Sequence, residues 1–133
     1  PAENDKIRKF AKRRAPFNNQ TLVYKKSLAL SIGGYSEELE RCEDYDFMVR
    51  MLIGGAVAAN IPEVLVRYRV TSGNLNRRRN WRNTRSFIAV RKKIRKMGFS
   101  SFIDFLIPCA GQIALFIIPG CVTGFIYKKL LRK

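Results

Sequence analysis

"CEDYDFMVRMLIGG", residues 42–55, sets three carboxylates directly ahead of an apolar run, and its period decides what kind of element this is. Phe47, Met48, Met51 and Leu52 recur at i, i+1, i+4 and i+5, one face of a helix, and Gly54-Gly55 stops it. Glu43, Asp44 and Asp46 then fall in the first turn, where a carboxylate beside the unpaired amide groups stabilises by about 0.3–1 kcal/mol. Dipole chemistry alone accounts for such a cluster. A carboxylate held at a helix start can also take a proton from a reacting group. The flanking sequence bears on which use applies.

Upstream, residues 3–14, "ENDKIRKFAKRR", predict a short basic helix ended by Ala15-Pro16, because proline disfavours the helical region for the residue before it. Thr21, Leu22, Val23 and Tyr24 form a β-prone run expected to be a buried strand. "KSLALSIGGY" brings Leu28, Leu30 and Ile32 close together and predicts a short helix closed by Gly33-Gly34, with polar "SEELERC" as the loop after it. Downstream of residue 55, Val64, Val66, Tyr68 and Val70 alternate with Leu65, Arg67 and Arg69 after Pro62, the clearest strand signal in the chain.

Charge divides the chain. Residues 1–76 hold 12 Lys/Arg against 9 Asp/Glu, whereas residues 77–133 hold 14 basic groups and one acid, Asp104. A balanced domain at 1–76 is expected to be followed by a part meant for an anionic surface. Within 77–98, Phe87, Val90, Ile94 and Met97 recur at i, i+3, i+7 and i+10, which predicts a basic amphipathic helix ending at Gly98. Within 99–133, residues 105–127 carry no charge, enough to cross a hydrocarbon core of about 30 Å.

Two partners suit such a tail. Arginines interleaved with Trp81 and Phe87 could clamp and stack on nucleic acid. An uncharged apolar stretch right after them suits a membrane instead, where basic groups gain about 1 kcal/mol each from anionic headgroups. No nucleic acid is therefore expected as a partner. Trp81, Arg91, Lys92, Lys128 and Lys129 are the side chains expected at the membrane. Both flanks of 105–127 are basic, so a re-entrant hairpin bent at Pro119-Gly120, or two interfacial helices, is preferred to a single span.

Three widely spaced cysteines and no histidine argue against a zinc site and against a disulfide framework, and favour a reducing, cytosolic face. The 133 residues suffice for about one domain with a modest core, and a chain that begins at Pro1 is expected to be a piece of something longer.

"RAPFNNQTLVYKKS", "GGY", "EDYDFMVRML" and "NIPEVLVRYRV", in this order and spacing across residues 7–76, resemble the C-terminal half of the catalytic domain of inverting family 2 glycosyltransferases of bacterial surface-polysaccharide synthesis. The resemblance implies an α/β fold, the acceptor-side part of a GT-A nucleotide-diphospho-sugar transferase, followed by a helical membrane-associating tail. It implies a nucleotide-sugar donor, a saccharide or lipid-linked acceptor, and a general base within Glu43-Asp44. Asp44 is the expected base, Glu43 its orienting neighbour, and Asp46 is left to the helix N-terminus.

Residue by residue, Asn18, Asn19, Gln20 and Thr21 match the segment where the family usually has Asn-His then Thr or Ser. Asn19 holds the His position, and an amide cannot titrate, so these groups cap the loop or orient a ligand. Gly34 and Tyr35 precede the acceptor loop, with a helix C-cap favoured over ligand contact. Arg67 and Arg69 face a diphosphate or solvent. The resemblance implies Mn²⁺ or Mg²⁺ held by an Asp-x-Asp upstream of Pro1, which "ENDK" does not replace, and no metal ligands within this chain. The donor half being absent, the piece is expected to be inactive alone. "RRRNWRN" is not the Gln-x-x-Arg-Trp of polymerising relatives, so single addition is favoured over processive synthesis.

Overall fold

The structure, a computed structural model, describes residues 1–67 and 80–117. It contains α1 (Asn4–Ala11), a 3-10 turn (Asn19–Thr21), α2 (Lys26–Ser31), α3 (Glu43–Ile53), α4 (Trp81–Lys96) and α5 (Phe102–Ile117). Helix α3 is the centre. Seven of its eleven residues are buried, and successive i, i+4 pairs face different neighbours. Tyr45 and Val49 pack on Val90 and Ile94 of α4. Leu52 packs on Ile7 and Ala11 of α1. Phe47 and Met51 pack on Ala29 of α2. An eleven-residue helix buried on three sides is held by packing, since propensity alone leaves so short a helix marginal in water.

Its ends are tied to other elements by side chains. The Arg8 guanidinium donates to the Leu52 carbonyl at 2.6 Å, adding to the Gly55 N–H that the same oxygen accepts at 3.3 Å at the C-terminus of α3. At the C-terminus of α1, the Tyr45 hydroxyl donates to the Ala11 carbonyl at 2.6 Å. Arg91 donates to the Lys12 and Arg13 carbonyls at 3.1 and 2.5 Å. Arg91 is 4% exposed, with its guanidinium over the rings of Tyr45 and Phe87. The expectation that Arg91 touches a membrane is therefore corrected: it is an internal cap, spent on main-chain carbonyls.

No strand occurs among the described residues, so the expected sheet is corrected for them. Asn19–Thr21 is a 3-10 turn, and Val23 in the extended residues after it is 93% exposed, not a buried strand. Residues 64–67 belong to no helix or strand, with Val64 92% exposed; residues 68–70 of the expected strand, Tyr68 and Arg69 among them, lie outside the described residues. The physical reason is that a strand needs a neighbour for its ladder, and among the described residues neither segment shows a backbone bond to another extended segment. They flank a groove of about 910 Å³ lined by Leu22, Val23, Phe47, Met51, Val64 and Val66.

Helix α4 starts at Trp81 and ends before Gly98, as the basic amphipathic pattern predicts; residues 77–79 lie outside the described residues. Ser101 and Asp104 then cap α5 reciprocally: Ser101 N–H donates to the Asp104 carboxylate at 3.2 Å, and Asp104 N–H donates to the Ser101 hydroxyl at 3.1 Å. The helix runs on through Pro108, whose missing N–H removes one bond from the ladder. No helix among the described residues is long and apolar enough to cross a membrane. The expected bend at Pro119-Gly120, and Lys128 and Lys129, lie outside the described residues.

Candidate active site

Three segments far apart in sequence meet at the N-terminus of α3. The first is the 3-10 turn, where Asn18 Oδ1 accepts from Gln20 N–H at 3.4 Å and the Thr21 hydroxyl donates to the Asn18 carbonyl at 3.0 Å. Asn18 is thus a local cap, as short polar side chains are in such turns.

The second is Gly33-Gly34-Tyr35, which closes α2. Gly34 N–H bonds the Ala29 carbonyl at 2.8 Å with both glycines at positive φ, a conformation that suits residues without a Cβ. The glycines are a C-cap, and Tyr35 is what they deliver. Its ring stacks on Phe47 at 4.2 Å and its hydroxyl donates to Asn19 Oδ1 at 3.2 Å. Tyr24 meets the same Phe47 edge-on at 5.0 Å.

The third segment is Cys42 to Asp46. Cys42 caps α3 in the left-handed region at φ 62°, which is strained for a residue with a Cβ. Its side chain accepts no amide of the first turn; Asp44 does, through Tyr45 N–H to Oδ1 at 2.7 Å. Glu43 and Asp44 are half-buried, so both remain within reach of solvent. Burial, then Asp44 and Glu43, push the Cys42 thiol up to about 11, so it is no thiolate near neutrality. Tyr35 is raised by burial first, then by Tyr24, then by Asp44 and Glu43, the electrostatic mark of its nearness to the carboxylates.

Asp46 departs from the dipole role expected of it. It is fully buried and faces Arg50 at 2.7 Å and Lys93 of α4 at 3.0 Å. Arg50 in turn donates to the Ile32 and Gly34 carbonyls at 2.7 and 2.6 Å. One buried carboxylate therefore ties α4 and the Gly33-Gly34 turn to the helix that carries Asp44.

Of the residues singled out from sequence, Asn18, Asn19, Gln20, Thr21, Gly34, Tyr35, Glu43 and Asp44 lie on these three segments. Arg67 is an exposed side chain on the extended segment beyond the groove, and Arg69 is outside the described residues. The sequence places Tyr24 only in an expected strand; its pairing with Phe47 is a tertiary contact with no spacing signal of its own. Among the described residues no group of three or more Cys, Asp or Glu side chains could hold a metal ion. The half-buried carboxylates Glu43 and Asp44 are open to proton transfer and hydrogen bonding.

No family model matches the chain, and no solved structure matches it. Three curated proteins are similar to it. It is 31% identical over 133 residues to an uncharacterized glycosyltransferase of Haemophilus influenzae. It is 32% identical over 133 residues to the UDP-Gal:alpha-D-GlcNAc-diphosphoundecaprenol beta-1,3-galactosyltransferase of Escherichia coli. It is 31% identical over 133 residues to an amylovoran biosynthesis glycosyltransferase of Erwinia amylovora. The matches take in 100, 100 and 97% of this chain but 49, 48 and 48% of those proteins, so the chain spans about half the length of the curated relatives it matches. From end to end, the chain is similar to half of a bacterial glycosyltransferase.

Proposed function

We propose that the chain is the acceptor-side, C-terminal part of an inverting glycosyltransferase of the family 2, GT-A kind, with Asp44 as its general base. The observation that carries this reading is the meeting of Asn18–Thr21, Gly34-Tyr35 and Glu43-Asp44 around one helix start. In the reaction, an acceptor hydroxyl oxygen attacks the anomeric carbon of a nucleotide-sugar, and the bond from that carbon to the diphosphate breaks. The nucleoside diphosphate leaves with the electron pair, and the acceptor proton passes to an Asp44 oxygen. A single displacement inverts the anomeric centre. Tyr35, held by Phe47 and Asn19, positions the acceptor beside the carboxylates, and Glu43 orients it.

The divalent cation belongs to residues outside this chain, on the donor side, and the 133 residues alone are inactive. The acceptor is a saccharide or a lipid-linked saccharide; the name of the Escherichia coli relative, with its diphosphoundecaprenol acceptor, supports the second. A lipid-linked acceptor supports a reading in which the enzyme works at the cytoplasmic face of the membrane, with anionic lipids as partners of the basic part. The nucleic-acid alternative is not favoured, because the similar proteins are glycosyltransferases.

The test is Asp44→Asn in the complete enzyme, which keeps shape and removes basicity. Turnover is expected to fall roughly 10²–10⁴-fold, the usual worth of a positioned base, with donor affinity little changed. Near-normal turnover would end the assignment to Asp44 and move the test to Glu43→Gln.

A further inference from the structure

Helix α5 is amphipathic the wrong way round for a helix in water. Its polar groups point inward: Asp104 is buried and receives Arg13 Nε at 2.6 Å, and Gln112 donates to the Thr84 hydroxyl of α4 at 3.2 Å. Its outward face is apolar. Ile103, Leu106, Ile107, Ile113 and Ile117 recur at i, i+3, i+4, i+10 and i+14, one continuous stripe, each between 41% and 71% exposed. Ala110 and Ala114 fill the gaps and are also exposed. A monomeric surface in water rarely shows so long an unbroken apolar face without a partner.

Helix α4 indicates which partner. It lies antiparallel to α5, with Trp81 against Phe116 at 5.9 Å and Arg95 over Phe102 at 5.0 Å. Beside that contact, Trp81, Arg85, Lys92 and Lys96 share one exposed stripe at i, i+4, i+11 and i+15. From Trp81 to Ile117 the one acidic residue is the buried Asp104; Arg82 is paired with Glu40 and Lys93 with Asp46, and the exposed Arg85, Lys92 and Lys96 border the apolar face with positive charge. A second copy would bring two basic stripes together. An anionic lipid surface matches both features at once.

We propose that the α4–α5 hairpin docks on an anionic bilayer surface, with the outward stripe of α5 immersed at the headgroup–acyl boundary and the exposed stripe of α4 on the headgroups. This rests on the membrane part of the proposed function and deepens it by naming the surface, while its test is separate from sugar transfer, since lipid binding needs neither donor nor acceptor. Trp81, the one tryptophan of the chain, is 62% exposed and sits at the edge of the stripe, a built-in reporter of the interface.

The experiment mixes the 133-residue chain with vesicles of phosphatidylcholine, with and without phosphatidylglycerol. Trp81 emission, its quenching by brominated acyl chains, and flotation are followed. Expected are a blue shift, quenching, and flotation favoured by phosphatidylglycerol. Leu106→Glu with Ile113→Glu, both outward positions, should keep the helical circular dichroism and weaken partitioning by at least about tenfold per side chain. Arg85→Gln with Lys92→Gln, which leaves the apolar stripe untouched, should reduce the preference for phosphatidylglycerol and its sensitivity to salt. Residues 118–133 are present in every variant, so a doubly substituted chain that floats like its parent shows attachment through the tail and overturns the proposal. So does a parent chain that ignores anionic vesicles, or one that sediments as a dimer which Leu106→Glu with Ile113→Glu dissociates.

Discussion

Asp44 and Asp46 stand two residues apart on α3 and serve opposite ends. Asp44, half-buried, keeps contact with solvent at the helix start, as a proton acceptor must. Asp46 is sealed between Arg50 and Lys93 and has no access to an acceptor sugar. Spacing alone could not separate them, because all three carboxylates fit the first turn equally well; burial does. Removing Asp46 would leave the largely buried Arg50 without its carboxylate, while the partly exposed Lys93 can turn to solvent; breaking a buried pair costs about 3–5 kcal/mol. Asp46→Ala is therefore expected to lower unfolding free energy by roughly that much, read from urea titrations followed by circular dichroism. A change under about 1 kcal/mol would mean that the pair behaves as a surface contact. Because Arg50 also holds the Gly34 carbonyl, Asp46→Asn in the complete enzyme should raise the acceptor KM more than it changes donor binding. An equal rise for both substrates would contradict a role in placing Tyr35.

At the scale of elements, the helices were legible because their signals are local: a 3.6-residue period, a capping residue and a terminating glycine lie within a few positions of one another. The α5 cap shows how such a signal carries energy. The Ser101 hydroxyl first, and then Arg13, hold the Asp104 carboxyl down at about 2. A carboxylate depressed in the folded state stabilises it above the ordinary range near 4, and that contribution is lost as pH falls from about 4 towards about 2. Thermal midpoints of the parent chain should therefore drop across this window more steeply than those of Asp104→Asn, which starts lower and has no such proton to take up. Parallel curves for the two would remove Asp104 from the acid sensitivity. The strands were less legible. Alternation in "EVLVRYRV" reports only that a segment can be extended, and the ladder that makes it a strand is supplied by residues elsewhere.

For the whole molecule, the groove between residues 22–25 and 55–66 follows from the same fact. Val23, Val57 and Val64, each more than 85% exposed, are β-branched side chains outside any helix, and the chain spans about half the length of its relatives. In the complete enzyme, amides of residues 22–25 and 63–66 are expected to exchange hydrogen much more slowly than in the 133-residue chain, as paired strands do. Equal exchange in both would rule out a sheet partner at this groove. What the sequence by itself determined is helices α1 to α4, the break in charge near residue 77 and the Glu43-Asp44 motif, all readable from neighbours in the chain. What only the tertiary structure decided is the use made of each side chain: Arg91 caps α1 instead of meeting lipid, Asp46 locks α4 to α3, and α5 turns its polar residues inward. The reason is that burial and charge pairing depend on which helices lie together in space, and contacts such as Arg13 with Asp104, 91 positions apart, leave no period or spacing in the chain.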